Sequence, residues 1–332
     1  MKNVFFAIGC ILLFTSCNRN PFKVNLTDTT INFQFHAFGS DLFAAKDKLS
    51  EQLPELEKTY PDILPLFSSE IIAIGLPEDD GFEELLNSFV EDSLMQEVKK
   101  QVDEKINRDD IHDKLEEAFR YFHYYFPEKA VPEVFTCISG FNQSIIMTEK
   151  LMGIGLDKYL GRDCEYYPRL GIPQYQRINM HPDKIVPDAL YAWAMTEFPF
   201  NDYGPHLIDR MIYEGKLLYL LDATLPETAD SLKIGFTKKQ LDFCSEKENA
   251  MWTYLAEYKM LFSTERMDVK RYVDASPYTS SFTADSPGRT GVWLGWQIVK
   301  AYMKKNPDVS IPDLMNEKNC KLILNQSAYQ PE

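Results

Sequence analysis

The chain has 332 residues, of which 45% are apolar and 13% aromatic, so it has ample material for a hydrophobic core and is not a disordered chain. Its formal net charge is −15 at pH 7. Non-specific binding of nucleic acid and a polybasic membrane patch both need clustered Lys and Arg, so this acidic balance argues against both.

The first residues, MKNVFFAIGCILLFTSC, have the pattern of a secretion signal. Lys2 precedes an apolar run from Val4 to Phe14 that is too short to cross a bilayer. Small residues followed by Cys17 resemble the lipobox of bacterial lipoproteins, although an ordinary signal peptide with an incidental cysteine has the same pattern. We predict a signal peptide over residues 1–16, lipidation of Cys17 by acyl chains such as palmitate, and a short polar tether over 17–27. More than one acyl chain would anchor the chain stably to a membrane.

Four cysteines remain beyond the signal peptide and Cys17, and the sequence leaves their redox state open. In an oxidising compartment four cysteines allow three pairings, between which the sequence does not choose. Buried free thiols explain these residues equally well. The sequence has no C-x-x-C pair, which excludes a zinc knuckle and a thioredoxin-like motif. The four residues are Cys137, Cys164, Cys244 and Cys320.

A strand and a broken helix are predicted after the tether. Apolar and polar residues alternate in TINFQFHAF, residues 30–38, which is typical of a strand. A helix is expected from Asp41 to about Tyr60, with a break near Pro54.

The next predicted helical region covers residues 82–126. Four apolar residues spaced four apart form one stripe of a helix: Leu94, Val98, Val102 and Ile106. Asp109 or Asp110 is expected to cap the last helix of this region, which ends before Pro127.

A small sheet is predicted over residues 131–161. The runs EVFTCISG and NQSIIMTE indicate two strands joined at Gly140-Phe141 as a β-hairpin. The run MGIGLDKYLG indicates a further strand that continues into a loop. CEYYPRLGIPQYQ, residues 164–176, is rich in Tyr and Pro and is predicted to be a loop.

Helices return over residues 182–317. One is predicted from about Pro187 to Phe198, because Pro fits the first turn of a helix. The run MIYEGKLLYLLD, residues 211–222, predicts the next. Ser245 and Glu248 form a capping-box signature at the start of a third.

The last predicted elements complete the fold class. The helix in TGVWLGWQIVKAYMKKNP ends at Asn306-Pro307, and a short last helix begins at Ser310. Gly291 and Gly295 share one face of the long helix and would allow close backbone packing. Helices, a small sheet and more helices indicate the α+β class, mostly helical with an antiparallel or mixed sheet. We predict one domain over 28–332, with a helical half at 41–127, the sheet at 131–161 and a second helical half at 182–317.

The pair Glu214-Gly215 raises the question of a metal site. In many zinc peptidases such a pair on a helix supplies the third metal ligand, and the motif H-E-x-x-H supplies the other two from one helix face. No two histidines of this chain are four apart, so we predict no metal and no cofactor. Glu214 is then a partly buried carboxylate that pairs with Arg210 or another cation. The five histidines are His36, His112, His123, His181 and His206.

Other catalytic patterns are missing from the sequence. It contains neither the nucleophile elbow G-x-S-x-G nor the phosphate loop G-x-x-x-x-G-K. Tyr166, Tyr167 and Tyr175 could stack on sugar rings together with Trp293 and Trp296. The two Trp residues are three apart on a predicted helix, which favours core packing for them.

Four stretches, in order, resemble the gliding motility-associated lipoprotein GldB of Bacteroidetes: ISGFNQSIIM, LIDRMIYEGKLLYLLDATLP, ENAMWTYLAEYKMLFSTE and SPGRTGVWLGWQIVKAYM. With the lipobox, the resemblance covers most of the chain and is densest from about Leu207 to Met303. It implies an envelope lipoprotein that faces the periplasm from the outer or the inner membrane. It also implies an association with surface gliding and with the protein-secretion machinery linked to it. The implied layout is zinc-peptidase-like without the metal motif, and the family carries over no catalytic residues.

We predict a non-catalytic, peptidase-like protein that binds an envelope protein partner and no nucleic acid. The expected binding groove contains residues from the segments that match the family best: Glu214, Lys216, Glu248, Arg289 and Trp293. Arg289 either clamps a partner carboxylate or pairs internally with Glu214 or Glu248. Lys216 is expected to be solvated, and Glu248 to complete its capping box. Two alternatives are a metal-dependent hydrolase with a non-standard site and a peptidoglycan- or glycan-binding module.

Overall fold

The computed structural model describes residues 20–332 of the chain. The predicted signal peptide over residues 1–16 and the predicted lipidation of Cys17 lie outside the described residues. Within residues 20–332, helices lie between the first strand and the other three strands of a four-stranded sheet, and more helices follow the sheet, which confirms the mostly helical α+β class. None of the described helices is long and apolar enough to cross a membrane.

The sheet is mixed. Its strands lie in the order β1-β2-β4-β3. The central strand β2 pairs in parallel with β1 and with β4, whereas β3 pairs antiparallel with β4. Two residues of the predicted strand over 30–38 belong to the sheet. The strands are β1 (Phe35–His36), β2 (Glu133–Cys137), β3 (Ile145–Met147) and β4 (Leu151–Gly155).

The predicted hairpin between β2 and β3 at Gly140-Phe141 is wrong. The carboxylate of Asp157, which is fully buried, accepts hydrogen bonds from the amide and the hydroxyl of Ser139 at 2.8 and 3.1 Å, and from the amide of Phe141. Gly140 and Phe141 both have positive φ. These contacts hold a turn that carries the chain away from β2, so β4 takes the place beside it. The hairpin of the structure joins β3 to β4.

Six helices lie between β1 and β2. The predicted break near Pro54 is wrong, because the helix is interrupted at Lys46–Lys48 by a 3-10 turn and Pro54 lies inside the next helix at an exposed position. Asn107, not Asp109 or Asp110, caps the sixth helix, since its side-chain oxygen accepts from both of their amides. The helices are α1 (Phe38–Ala44), α2 (Leu49–Thr59), α3 (Ile63–Leu66), α4 (Phe82–Glu91), α5 (Ser93–Lys105) and α6 (Arg108–Tyr125).

The rest of the chain is helical as predicted, with more helices than expected. Two short helices, α7 (Tyr166–Arg169) and α8 (Gln174–Arg177), occupy the predicted loop over 164–176. The described chain also has a helix after the predicted last one. In order, the others are α9 (Ile185–Glu197), α10 (Leu207–Thr224), α11 (Asp230–Ile234), α12 (Lys238–Glu246), α13 (Glu248–Glu257), α14 (Arg266–Val273), α15 (Thr290–Lys305), α16 (Ile311–Asn316) and α17 (Cys320–Ser327).

Helix α10, which contains the run MIYEGKLLYLLD, is the central helix of the protein. All of its residues except Arg210 and Tyr219 are buried. One side contributes Leu217 to a core that contains the sheet and the N-terminal helices. The other side contributes Met211 to a second core built by α15 and the C-terminal helices. A helix buried all round in this way joins two cores.

Glycines allow α10 and α15 to touch backbone to backbone. A Cβ atom placed on Gly295 would overlap the carbonyl group of Met211, and one placed on Gly215 would overlap the carbonyl of Gly295 and lie 2.7 Å from the amide nitrogen of Trp296. On the same face, a Cβ on Gly291 would lie 2.9 Å from Tyr272. The close packing predicted for Gly291 and Gly295 is therefore confirmed.

We expect Gly295→Ala to lower the free energy of unfolding by about 3 kcal/mol, because the added methyl group has no space between the two helix backbones. In an open helix the same substitution would stabilise the protein by about 1 kcal/mol, so the sign of the change is diagnostic. Urea unfolding of the purified protein measures it. Gln297→Ala, on a less buried position of α15, is the matched control and is expected to change stability little; an unchanged or raised stability of Gly295→Ala would contradict the packing.

Candidate functional site

Helix α10 carries four charged side chains that are at most 4% exposed: Asp209, Glu214, Lys216 and Asp222. A buried charge must be paired or hydrogen-bonded, since its uncompensated removal from water costs several kcal/mol. Each of the four has its own set of partners. These contacts determine which of the charges are available for chemistry.

Glu214 is held by two neighbours inside the protein. Its carboxylate forms an ion pair with Arg210, one turn earlier, at 2.8 Å, as the sequence predicts. The hydroxyl of Tyr191, on α9, donates a hydrogen bond to the same carboxylate. Burial, with the nearby Glu214 charge, raises the pKa of Tyr191 well above its ordinary value, so the hydroxyl keeps its proton. Glu214, which the sequence pattern compared with a metal ligand, is therefore an internally paired carboxylate.

Arg289 is linked to Glu214 through Tyr191, whose hydroxyl is hydrogen-bonded to both side chains. Its guanidinium donates to the hydroxyl of Tyr191 at 3.4 Å and to the carbonyl of Ile234 at 3.0 Å. The internal ion pair expected with Glu214 or Glu248 does not form, so within residues 20–332 its hydrogen-bond partners are neutral. Arg289 caps α15 in the left-handed backbone region, with φ 57°. A non-glycine residue in this region is strained and is held there by its surroundings.

Lys216 is fully buried, and the expectation of a solvated side chain is wrong. Its ammonium donates to the hydroxyl of Tyr203 at 2.7 Å and to the carbonyls of Met315 and Glu317 at 3.1 and 2.7 Å. These carbonyls lie at the C-terminal end of α16, where helix carbonyls lack intrahelical partners. Burial is the main cause that lowers the pKa of Lys216 to about 7.

Asp222 is the centre of a polar network that the sequence analysis missed. Its carboxylate accepts from the ammonium of Lys233 and from the indole N–H of Trp296, at 2.8 and 2.9 Å. The ammonium of Lys300 lies 3.7 Å away and stacks over the Trp296 ring. Burial raises the pKa of Asp222, and the two lysines oppose that rise. Lys233 is itself only 6% exposed, so this is a buried ion pair that joins α10, α11 and α15.

The other two residues of the predicted groove lie elsewhere. Glu248 does not form a capping box with Ser245, because Ser245 lies inside α12, which Thr237 and Gln240 cap. The carboxylate of Glu248 instead accepts a hydrogen bond from the hydroxyl of Tyr329.

Trp293 is 4% exposed and packs in the second core. The structure therefore brings Glu214 and Arg289 together through Tyr191 and separates them from Lys216 and Glu248. Each of the five residues predicted to line the groove is held by contacts inside the fold, and the five do not come together as one group.

A cleft of about 640 Å³ lies between α6, the start of α9 and the segment that follows α10. Apolar side chains such as Ile111, Val186 and Leu232 line it. Its volume is typical of ligand sites in proteins. None of the five predicted groove residues lines it. Charged residues of the cleft are Lys105, Asp110, Lys114, Glu117, Asp183 and Glu227.

The aromatic segment over 164–176 is largely internal. Tyr166 and Tyr167 are 8% and 0% exposed. The Tyr167 hydroxyl donates to the carbonyl of Asp157 and accepts from the amide of Leu160, both at 2.9 Å. These two rings therefore do not form an exposed platform for stacking on sugars, and Tyr175 alone of the three is partly exposed.

Side chains that could bind a metal are dispersed in residues 20–332. No group of three His, Cys, Asp or Glu residues is placed there to hold an ion. His206, for example, caps α10 with Asp209, its Nδ1 atom 2.8 Å from that carboxylate. The four cysteines that follow Cys17 are free and buried. The expectations of no metal and no cofactor stay predictions.

A family profile described as gliding motility protein GldB matches residues 19–331. No curated protein and no solved structure is significantly similar to the chain. Because the profile spans nearly the whole chain, the protein belongs to the GldB lipoprotein family. This membership confirms the resemblance found in the sequence and associates the protein with gliding motility. The zinc-peptidase-like layout stays a prediction.

Lys216 predicts a specific dependence of stability on pH. Its pKa is about 7 in the folded protein and about 10.4 in the unfolded chain, so between these values the unfolded chain binds more protons. The contribution of Lys216 to the free energy of unfolding is therefore fully present above pH 10.4 and is lost as the pH falls toward 7. Relative to Lys216→Met, the wild type is expected to gain about 3 kcal/mol of unfolding free energy between pH 7 and 9.5.

Urea unfolding of both proteins across this pH range measures the gain, because titration of all other groups cancels in the difference. Lys304→Met, at an exposed lysine of α15, is the control and should follow the wild type. Parallel curves for the wild type and Lys216→Met would show that Lys216 has an ordinary pKa.

Proposed function

We propose that this protein is a non-catalytic binding protein of the cell envelope, lipid-anchored through Cys17 and facing the periplasm, which acts with the protein-secretion machinery linked to gliding. The observation that carries the proposal is the cleft between α6, α9 and the end of α10. Its size and apolar lining suit a segment of a partner protein, and its charged residues suit the polar ends of such a segment.

The four carboxylates that the fold buries are not placed to act as catalytic acids or bases. A catalytic acid or base must reach a substrate, usually from a cleft. Asp157, Asp209, Glu214 and Asp222 are all at most 4% exposed and accept hydrogen bonds from protein groups. None of them lines the cleft.

Arg289 supports a second contact with a partner. It is partly buried, so its electrostatic interactions are stronger than they would be in water. Its hydrogen bonds go to neutral oxygens. A carboxylate from a partner would give it the bidentate, charge-assisted pair that guanidinium groups favour. Of the two roles that the sequence leaves open for Arg289, we therefore propose the clamp on a partner carboxylate. The glycan-binding alternative has weaker support, because Tyr166 and Tyr167 are buried.

A photo-crosslinking amino acid in place of Thr228, which lines the cleft, is expected to capture an envelope protein in living cells. Ala229→Trp, also in the cleft, should remove most of that product because the indole ring fills the space that the partner needs. Secretion by the machinery linked to gliding should fall together with the yield of this crosslinked product. Ala256→Trp, on an exposed position of α13, is the matched control and should leave the product and secretion intact. Capture that Ala229→Trp leaves unchanged would contradict binding in the cleft.

Arg289→Ala is expected to weaken retention of the partner by roughly ten-fold or more, because a charge-assisted pair contributes about 1.5–3 kcal/mol. Retention on the immobilised protein measures this effect, and thermal unfolding reports whether the variant is folded. Arg162→Ala removes the same charge from an exposed loop and serves as the control. Full retention by Arg289→Ala, or a loss that accompanies unfolding, would refute the clamp.

A further inference from the structure

The first described residues are bound to the body of the protein. The side-chain amide of Asn20 donates to the carbonyl of Pro226 at 2.8 Å. The ring of Phe22 packs edge-on against Tyr219, with centroids 5.3 Å apart. The part of the predicted tether that the structure describes therefore begins on the folded domain.

Further contacts continue along this segment. The ammonium of Lys23 pairs with Glu227 at 2.8 Å, although both side chains are exposed and the pair is worth little by itself. The partly buried guanidinium of Arg120, on α6, donates to the carbonyls of Leu26 and Thr29 at 2.6 and 3.0 Å. The segment is thus fixed at both ends, by Asn20 and by Arg120.

This segment lies along the edge of the cleft. Pro226 and Glu227, which hold Asn20 and Lys23, are lining residues of the cleft. The carboxylate of Glu227 is the main cause that raises the pKa of Lys23, and the charge of Glu117, another lining residue, contributes to the same rise. The start of the described chain and the cleft are therefore on the same side of the protein.

Chain geometry then limits the distance from Cys17 to this edge. Cys17 precedes Asn20 by three residues, which span at most about 11 Å when fully extended. A lipid anchor on Cys17 would thus lie within about one such length of the Asn20–Pro226 contact. A long flexible tether would let the protein turn freely on the membrane, whereas a connection of three residues would restrict that rotation.

We propose that the lipid anchor holds the open side of the cleft against the bilayer, and that the cleft accepts a juxtamembrane segment of an integral membrane protein. This inference rests on the proposed binding function and names the class of partner. The apolar lining suits the apolar face of such a segment. Of the four carboxylates that line the cleft, Asp110 and Glu227 pair with lysines. Glu117 and Asp183 have no Lys or Arg partner within residues 20–332, so they would favour Lys or Arg on the polar face of the segment.

Fluorescence quenching in vesicles tests the orientation. The full-length lipidated protein is labelled at Thr228→Cys or at Ala256→Cys and reconstituted with nitroxide-labelled lipids. The four native cysteines beyond Cys17 are at most 6% exposed, so the introduced thiol takes the label. We expect stronger quenching at Thr228 than at Ala256. Equal quenching, or stronger quenching at Ala256, would overturn the orientation.

A linker variant shows whether the short connection is the cause. About 20 Gly and Ser residues inserted before Asn20 would add an average reach of about 25 Å and leave the contacts of Asn20 intact. We expect the difference in quenching between the two labels to be lost in this variant. A difference that survives would mean that something other than the short connection orients the protein.

The photo-crosslinking product at Thr228 tests the class of partner. We expect mass spectrometry of the product to place the crosslink on a residue next to a membrane-spanning segment of the captured protein. A soluble protein or a lipid adduct would overturn the partner class while leaving the orientation result in place. No product at all would refute the proposed binding function, and the vesicle experiment would still report orientation by itself.

Discussion

The fold depends on the backbone contact between α10 and α15. Gly215 and Gly295 leave no space for a side chain where the two helices meet, so the contact fixes the rotation of α10 about its own axis as well as its distance from α15. That rotation decides which residues face each of the two cores. It also decides where the charged residues of α10 point. Tyr191, Lys233 and the end of α16 are placed to receive those charges, so the polar contacts and the glycine contact specify the same arrangement.

Local sequence patterns predicted the elements well where local physics determines them. The helix that ends before Asn306, the cap at Ser310 and the shared face of Gly291 and Gly295 all follow from capping and periodicity. The hairpin failed because strand pairing depends on a distant group. Asp157 lies 16 residues after Phe141, and no local pattern shows that its carboxylate will hold the turn.

The candidate site was less accessible from the sequence. Lysine side chains are usually solvated, so the sequence gives no sign that Lys216 is buried. Its burial follows only from the position of α16, about a hundred residues later. The cleft is built from three segments that are far apart in the chain, around residues 107–121, 182–187 and 224–232, and each has an ordinary local pattern. The Glu214-Gly215 pair directed attention to the middle of α10, whereas the structure shows a cavity at the C-terminal end of this helix, near Thr224.

The buried thiols have a consequence for how the protein matures. Cys137, Cys164, Cys244 and Cys320 are free, so the folded chain has no covalent crosslink among its described residues. In an oxidising compartment such thiols are vulnerable while the chain is unfolded, when they can pair wrongly, and are sheltered once the cores close. Burial in the folded protein therefore protects these thiols from wrong pairing, and a variant that opens more often would be lost by oxidation as well as by proteolysis.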